Sequence, residues 1–378
     1  CIRDSIDQID AFAFSAPIVC ALVCMIMMLM DAVVRRHNVQ EKRLRLFLAL
    51  TYLITSLGWL GMVFYSISPR LFASYYTVFL FTLMLDQVMI YRFVSIITNT
   101  GERRKLNRLH LIIPLLFTLI SIISDMIVPV EQQRAVIFSE VSADEPNLWF
   151  RIMYVLTTTV FIVYNTLYPF LNLRNIRRYR KFIVNYSSDA YNASLAWLAV
   201  IQALILITVP VPLAGLLFRI PTISFSYFAW VGTLPYFINY LILCYNLLND
   251  NYLIIQPEDV KEDAAAKVSF ISRKQFEHYL REKKPYLNPN LRITDLAAGL
   301  HTNRSYISGF INKEYDMNFC RLINRCRLYH LDRLRLSSLN SEKDNIDLVL
   351  MAGFSSYRSY LRVKNEEDRL SLLKVFEK

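Results

Sequence analysis

Charged residues, glycine and histidine are scarce in this chain of 378 residues, and each shortage excludes a class of function. Only 19% of the residues are charged, against about 25% in a soluble globular protein. Eight glycines include no Gly-rich phosphate-binding loop. The five histidines are scattered, and no two of the six cysteines have the spacing of metal ligands. We therefore expect a protein that is not an enzyme, with no catalytic residues, no metal and no cofactor.

Hydrophobic residues are abundant, at 54% with a mean hydropathy of +0.31, and they are concentrated in residues 11–247. A helix needs about 20 residues to cross a hydrocarbon core of about 30 Å. Seven apolar blocks are long enough, at residues 11–34, 46–67, 72–97, 109–130, 148–171, 194–218 and 223–247. Burial in a soluble core is the alternative, but soluble helices are rarely all this long and this apolar. The pattern therefore predicts seven transmembrane spans.

Lysine and arginine are distributed unevenly over the loops between these blocks. Fourteen of them lie in the loops after the first, third and fifth blocks, whereas the alternate loops contain only Arg70, Arg134 and Arg219. Cytoplasmic loops of membrane proteins carry the excess of positive charge. We therefore expect the N-terminus outside and the C-terminus in the cytoplasm. The chain starts at Cys1 rather than Met, so we also expect residues upstream.

The C-terminal part is basic and has a helical pattern. From Val268 onward there are 20 Lys and Arg against 13 Asp and Glu. Ser272 and Gln275 have the spacing of a capping box at the start of a helix. After "LRITDLAAGL" and the turn "HTN", a second helix has Ile307 and Ile311 on its buried face. Its outward face is predicted to carry Arg304, Ser305, Ser308 and Asn312. Such side chains contact base edges and phosphates in a DNA major groove.

These stretches resemble the DNA-binding domain of the AraC/XylS family of transcription regulators. "LRITDLAAGLHTNRSYISGFINKEYDMNFCRLINRCRL" resembles the family's first helix-turn-helix and connecting helix, and "IDLVLMAGFSSYRSYLR" resembles its second, with Gly353 and Phe354 at the turn. The matching positions in the first stretch are Leu296, Ala297, Tyr306, Ile307, Ser308, Phe319, Ile323, Asn324, Arg327 and Leu328. Two departures are His301, where the family has a turn glycine, and Lys364, where it has a packing phenylalanine. The resemblance covers about residues 272–364.

The resemblance implies a tail that binds double-stranded DNA. The expected DNA-binding residues are Asn303, Arg304, Ser305, Ser308 and Asn312, then Arg325, and finally Ser355, Ser356, Tyr357, Arg358 and Arg362. We expect an all-α protein with a seven-helix membrane sensor domain at 1–249, a linker at 250–271 and a cytoplasmic domain with two helix-turn-helix motifs at 272–378. Such a chain would be a one-component regulator in the bacterial inner membrane.

Polar residues inside the apolar blocks are candidates for sensing. An ionisable residue in a span is costly and faces the bundle interior or a polar cavity, which makes Asp86 a candidate, and Gln202 another. Asp125 and Arg151 lie near the expected outer surface, where an ion pair and two unpaired residues are equally compatible with the sequence. A purely structural role is the alternative for each. The signal would be an unknown small molecule or a change in the envelope, and a homodimer is a further expected partner.

Two other functions fit parts of the pattern. A membrane receptor or a transporter-like protein could use the helical tail to dock a protein partner. An intramembrane hydrolase would need Asp86 to be catalytic, yet Asp86 and Asp125 differ in their expected depth by roughly 13 Å at 1.5 Å of rise per helical residue. A carboxylate dyad requires near contact.

The unequal charge of the loops predicts the membrane topology. A reporter fused after Asn249 should be cytoplasmic, and one inserted near Ser142 should be extracytoplasmic, because the basic loops stay inside. Measuring reporter activity in cells that express each fusion checks this. Both reporters on the same side would contradict seven spans.

Overall fold

The computed structural model describes residues 2–35, 37–100, 107–138, 147–190, 192–209, 226–255, 269–340 and 342–376. Over these residues the chain forms fourteen α-helices and no strand, which confirms the all-α prediction for this part. The chain divides into two compact units. Unit 1 comprises Cys1–Thr98, Arg104–Ile176 and Ala196–Asp250, and unit 2 comprises Asn99–Arg103, Arg177–Leu195 and Asn251–Lys378. Most of the predicted linker, residues 256–268, lies outside the described residues.

Eight helices start in unit 1. They are α1 (Ile2–Val34), α2 (Val39–Ile67), α3 (Pro69–Ile97), α4 (Leu109–Ile127), α5 (Val130–Ile137), α6 (Leu148–Ile183), α7 (Ala196–Thr208) and α8 (Ser226–Leu248). Within the described ranges, five segments are long and apolar enough to cross a membrane: Ala13–Val34, Val39–Ile67, Pro69–Ile97, Leu109–Ile127 and Leu148–Ile183. Ala196–Thr208 and Thr233–Leu248 are shorter apolar helices. Residues 210–225, which include the end of the predicted sixth span and the start of the seventh, lie outside the described part.

α4 indicates what surrounds unit 1, because its polar face is the buried one. The buried residues of this helix are Pro114, Thr118, Ser121 and Ser124. Leucine and isoleucine side chains lie on its outside, among them Leu116, which is 53% exposed. In water, such an exposed apolar face would be unfavourable. In a bilayer the same arrangement is favourable, because apolar side chains contact lipid and hydroxyl groups hydrogen-bond between helices.

A buried cation joins the ends of three helices in unit 1. The fully buried guanidinium of Arg45, on α2, donates to the Asp31 carboxylate of α1 at 2.7 Å and to Glu41 at 3.1 Å. It also donates to the Leu247 carbonyl oxygen of α8 at 2.9 Å and to Asp250 at 3.1 Å. A buried charge is tolerated only when it is paired and hydrogen-bonded. Arg45 therefore fixes α1, α2 and α8 to one another at this end.

The C-terminal helices of unit 2 begin after Ser272. They are α9 (Arg273–Lys283), α10 (Ile293–Gly299), α11 (Arg304–Tyr315), α12 (Phe319–Leu336), α13 (Asn345–Met351) and α14 (Tyr357–Phe376). The predicted capping box is confirmed, since the Ser272 hydroxyl accepts from the Gln275 N–H and the Gln275 side chain accepts from the Ser272 N–H. α12 packs against α11 and α13, α10 packs against α11, and α13 packs against α14. The long helix α12 thus connects two helix pairs.

A segment far away in sequence completes unit 2. Residues 184–188, just after the end of α6, pair with the C-terminal helices through backbone hydrogen bonds. The bonds run from Cys320 N to Val184 O (3.0 Å), from Ile293 N to Tyr186 O (2.9 Å) and from Ser188 N to Leu291 O (3.0 Å). The domain boundary predicted from sequence left this segment with the membrane domain, because composition and periodicity contain no signal for a contact between distant segments.

Arg327, on α12, holds this segment in place. Its side chain is buried, and its nitrogens donate to the Ser188 hydroxyl (2.9 Å), the Tyr286 carbonyl (2.8 Å), the Asn288 carbonyl (2.7 Å) and the Asn324 side chain (2.9 Å). Burial lowers the pKa of Arg327 to about 10, so the group still carries its charge at neutral pH. Several oxygen acceptors together stabilise the buried cation.

We expect Arg327→Met to loosen unit 2. The substitution removes the buried charge and leaves the buried Ser188 and the acceptors at Tyr286 and Asn288 without their donor, which should cost on the order of 3 kcal/mol. Hydrogen–deuterium exchange on the detergent-solubilised full chain should show reduced protection in residues 184–188 and in α12. The control, Arg333→Met, removes an exposed arginine from the same helix and should change local stability by less than about 0.5 kcal/mol. Equal protection in the two variants would contradict the role of Arg327.

Candidate functional site

The two helix pairs of unit 2 are joined by turns with the same backbone geometry. In each turn, two N–H groups reach back to carbonyl oxygens of the preceding helix in the pattern of a Schellman motif. In the first turn His301 N donates to Ala298 O (3.1 Å) and Thr302 N to Ala297 O (3.0 Å); in the second, Gly353 N donates to Leu350 O (3.0 Å) and Phe354 N to Val349 O (3.4 Å). The tail therefore contains two helix pairs, α10–α11 and α13–α14, whose turns have the same hydrogen-bond pattern.

Each turn places one residue in the left-handed region. His301 has a φ of 53° and Gly353 a φ of 93°. The motif resemblance predicts a turn at His301, where glycine is usual, and the backbone of His301 adopts this geometry. At Gly353 glycine is required for a second reason, because a Cβ atom would clash with the Tyr286 carbonyl oxygen and lie 2.7 Å from Leu287 Cα.

Side-chain caps start the second helix of each pair. The Asn303 side-chain oxygen accepts from the Tyr306 N–H at 2.8 Å at the start of α11. The Ser356 hydroxyl accepts from the Ser359 N–H at 3.1 Å at the start of α14. Such caps satisfy backbone donors that a helix leaves free. Asn303 and Ser356, both predicted to bind DNA, therefore already position the helices on which the other candidates lie.

α11 presents a polar face, as predicted, with one difference. Ile307 and Ile311 are fully buried, Ser305 and Asn312 are exposed, and Ser308 is half-buried. Arg304, predicted to face outward, is half-buried instead, with its guanidinium 5.2 Å from the centre of the Phe182 ring. Phe182 belongs to the end of α6, so the periodicity of α11 could not reveal this cation–π contact.

The start of α14 presents the second set of candidates. Arg358 and Arg362 are exposed. Tyr357 is half-buried and packs against the hydrophobic core of unit 2. Ser355 is exposed, and its hydroxyl donates to the Asp189 carboxylate at 2.6 Å. The two arginines are thus the residues of this set best placed to meet a phosphate backbone.

Arg325, on α12, forms an ion pair with an acidic side chain. Its guanidinium lies 2.9 Å from the Glu367 carboxylate, which Arg321 also contacts at 2.6 Å. Burial alone would raise the pKa of Glu367, but the hydrogen bonds from these arginines lower it below its ordinary value. Arg325 was predicted to bind DNA from its position in the connecting helix. This ion pair satisfies its charge within unit 2.

An open basic cleft between α9 and α12 was not predicted from the sequence. Its lining includes Arg281, Tyr315, Arg325, Tyr329, Arg333 and Lys284. Burial, followed by the charges of Lys284 and Arg333, lowers the pKa of His330 at this cleft. The spacing of four residues from Arg325 to Tyr329 and again from Tyr329 to Arg333 on α12 was the available signal, because residues four apart share a helix face.

The polar candidates within the spans form separate pairs. Asp86, on α3, is buried and accepts from the Thr55 hydroxyl at 2.6 Å. Gln202, on α7, is fully buried and accepts from the Asn172 side chain at 2.9 Å. Both pairs connect neighbouring helices through side chains, as is usual for polar groups in a bundle interior.

Asp125 and Arg151 do not form the ion pair that the sequence left open. Asp125 is half-buried near the end of α4, and Arg151 is exposed near the start of α6. Among the residues that the structure describes, Asp125 has no salt bridge, and no group of three His, Cys, Asp or Glu side chains has the arrangement of a metal site. Asp125 and Arg151 are therefore separate features.

Comparison with known proteins yields no match for this chain. No family model matches it, and neither does a curated protein or a solved structure. The similarity to the AraC/XylS family remains a prediction based on the motif residues. A function can be inferred only from the residues and geometry of the chain itself.

Both turns contain one residue with a positive φ. Introducing glycine at this position in the first turn and removing it from the second should therefore have opposite effects on stability. His301→Gly should stabilise the first helix pair by about 1 kcal/mol, because glycine adopts a positive φ without strain. Gly353→Ala should destabilise the second pair by on the order of 3 kcal/mol through backbone strain and the Cβ clash. Hydrogen–deuterium exchange of α10 and α13 in the full chain measures both changes.

Gly309→Ala is the matched control. Gly309 lies on the exposed side of α11 with nothing within 4 Å of an added Cβ, so alanine should stabilise that helix by up to about 1 kcal/mol. Destabilisation by His301→Gly, or tolerance of alanine at 353, would contradict the shared turn geometry.

Proposed function

We propose that this protein is a membrane-bound one-component transcription regulator whose tail binds specific DNA. The observation that carries the proposal is the pair of turns with the same hydrogen-bond pattern in unit 2, each followed by a capped helix. We interpret the two helix pairs as helix–turn–helix motifs. A helix packed by one face and polar on the other suits insertion into a major groove. The resemblance to the AraC/XylS family supports this proposal, since it concerns the same residues.

Two kinds of DNA contact are assigned to the exposed residues. Ser305 and Asn312, with Ser308 between them, lie on the exposed side of α11 and suit hydrogen bonds to base edges. Arg358 and Arg362, on α14, suit phosphates, which set the register and supply much of the affinity. Arg304 and Arg325 are assigned supporting roles, because both side chains already interact within unit 2.

The membrane part of the proposal extends the five apolar helices to seven spans. Ala196–Thr208 and Thr233–Leu248 would belong to the last two spans. The basic loops would lie in the cytoplasm, together with the tail. This orientation brings a DNA-binding domain into the compartment that contains DNA, in the inner membrane of a bacterium.

The segment that follows α6 is the proposed route for the signal. α6 begins in unit 1 and its last residues belong to unit 2. Phe182 contacts Arg304 at the start of α11, and Asp189 accepts from Ser355 just before α14. A signal can change DNA binding only by favouring one of two states. Contacts from one segment to the start of both second helices provide interactions that can differ between such states.

We expect the full chain in detergent to bind DNA with sequence preference and strong salt dependence. Arg358→Ala and Arg362→Ala should each weaken binding on all sequences and reduce the salt slope by about 1, because each removes a phosphate contact. Asn312→Ala should instead change the preferred sequence, at a cost of about 1–3 kcal/mol on the preferred site. Fluorescence anisotropy with a selected DNA and a scrambled DNA measures both effects.

Arg333→Ala is the charge-matched control, since it removes one exposed arginine outside both helix–turn–helix arrangements. The full chain is needed, because a fragment starting at residue 268 lacks Ser188, a partner of Arg327.

Asp189→Asn should alter affinity while leaving sequence preference intact if the segment after α6 adjusts the tail. No DNA binding at low salt by the folded chain would reject the proposed function and favour a tail that docks a protein.

A further inference from the structure

The cleft between α9 and α12 in unit 2 has the size of a small-molecule site. Its volume is about 860 Å³, and ligand pockets usually measure roughly 300–1,000 Å³. Leu280 and Leu322 form buried parts of its lining, whereas Tyr329 lines it as an aromatic residue that is 68% exposed. In the described part of the chain, the lining contains none of the residues assigned above to direct DNA contact. The cleft is therefore a separate site of unit 2.

Three cations at this cleft form no ion pair within the described part of the chain. They are Arg281 and Lys284, at the end of α9, and Arg333, on α12, and all three are exposed. Arg281 Nε donates to the backbone carbonyl oxygen of Glu277 at 3.4 Å, a contact that does not neutralise its charge. Burial, and then the charges of Lys284 and Arg333, lower the pKa of His330 in the same lining. The cleft therefore has a positive electrostatic potential.

The carboxylates near the cleft are paired with other arginines. Glu277 belongs to the lining, and its carboxylate lies 2.9 Å from Arg273 Nε. The Glu367 carboxylate contacts Arg321 at 2.6 Å and Arg325 at 2.9 Å. These ion pairs leave the three cations of the cleft uncompensated. An anionic ligand would complement them.

We propose that this cleft binds a small organic phosphate with an aromatic ring, which is the chemistry of a mononucleotide. A phosphate monoester carries a charge of about −1.5 to −2 at neutral pH, which balances three cations better than one carboxylate does. Arg281 and Arg333 can donate paired N–H groups to phosphate oxygens, and Lys284 adds a point charge. Tyr329, four residues before Arg333 on the same helix face, offers an exposed ring on which a base can stack. The proposal does not depend on DNA binding by the tail.

Isothermal titration calorimetry of the detergent-solubilised full chain with adenosine monophosphate (AMP), in the absence of DNA, tests this site. AMP should bind more tightly than inorganic phosphate, which lacks the ring, and more tightly than adenosine, which lacks the charge. Arg281→Gln and Lys284→Gln should each weaken the affinity for AMP by about tenfold, because each removes a charge-assisted contact. Tyr329→Ala should reduce the preference for AMP over inorganic phosphate.

Lys274→Gln is the matched control, because Lys274 is an exposed lysine at the other end of α9 and outside the lining. Its affinity for AMP should equal that of the unaltered chain. No binding of AMP at low salt, or equal losses in Lys274→Gln and Lys284→Gln, would overturn the proposal.

Two further outcomes would place the phosphate elsewhere or assign it to another source. Loss of AMP binding in Arg358→Ala but not in Arg281→Gln would place AMP on the proposed DNA surface and overturn the proposal. Displacement of AMP when the chain is moved from phosphatidylcholine to phosphatidylglycerol nanodiscs would show that a lipid headgroup fills the cleft, and it would overturn a soluble ligand. The same AMP affinity in both lipids supports the soluble ligand.

Discussion

The arrangement of unit 2 depends on one buried cation, the Arg327 guanidinium. In the described part of the chain its hydrogen-bond partners are neutral oxygens rather than carboxylates, and they come from the segment after α6, from the residues before α10 and from α12 itself. The same group lies 5.8 Å from the ring centre of Phe354, the last residue of the second turn. A buried charge needs all of its hydrogen-bond partners. Losing one of them costs more free energy than losing a hydrogen bond at the exposed surface. Arg327 thereby fixes the second turn, the α10 region and the distant segment to one helix.

The packing of unit 1 is governed by a different condition, because its apolar outer faces suit hydrocarbon rather than water. Apolar side chains gain nothing by moving inward from lipid, so helices associate through packing and hydrogen bonds. The interior accordingly contains polar pairs, such as Asp86 with Thr55, Asn172 with Gln202, and Ser121 with Thr157. Unit 1 also contains a buried charge, Arg45, which joins helix ends through carboxylate partners, whereas in unit 2 the partners of Arg327 are neutral oxygens.

Local features of this fold were predictable from the sequence, and contacts between distant segments were not. The spacing of Ile307 and Ile311 identified the buried face of α11, and Ser272 with Gln275 identified the start of α9, because both depend on residues within one or two helical turns. The membership of residues 177–195 in unit 2 was missed. So were the contacts of Arg304 with Phe182, which leaves Arg304 half-buried, and of Arg325 with Glu367. Charge and periodicity predict which face of a helix a side chain lies on, but they do not predict which distant residue it contacts.

That segment bears on how the proposed regulator would transmit a signal. A flexible tether between a sensor and a DNA-binding domain would transmit almost nothing, since it interacts equally with every state of either part. Residues 182–189 are not a tether, because their backbone hydrogen-bonds to the C-terminal part of unit 2 and their side chains contact Arg304 and Ser355. They are also continuous with α6, one of the five apolar helices long enough to cross a membrane. A change in the position or rotation of α6 would therefore have to be accommodated by Arg304, Ser355 and the Arg327 site, which lie among the residues that shape the proposed DNA surface.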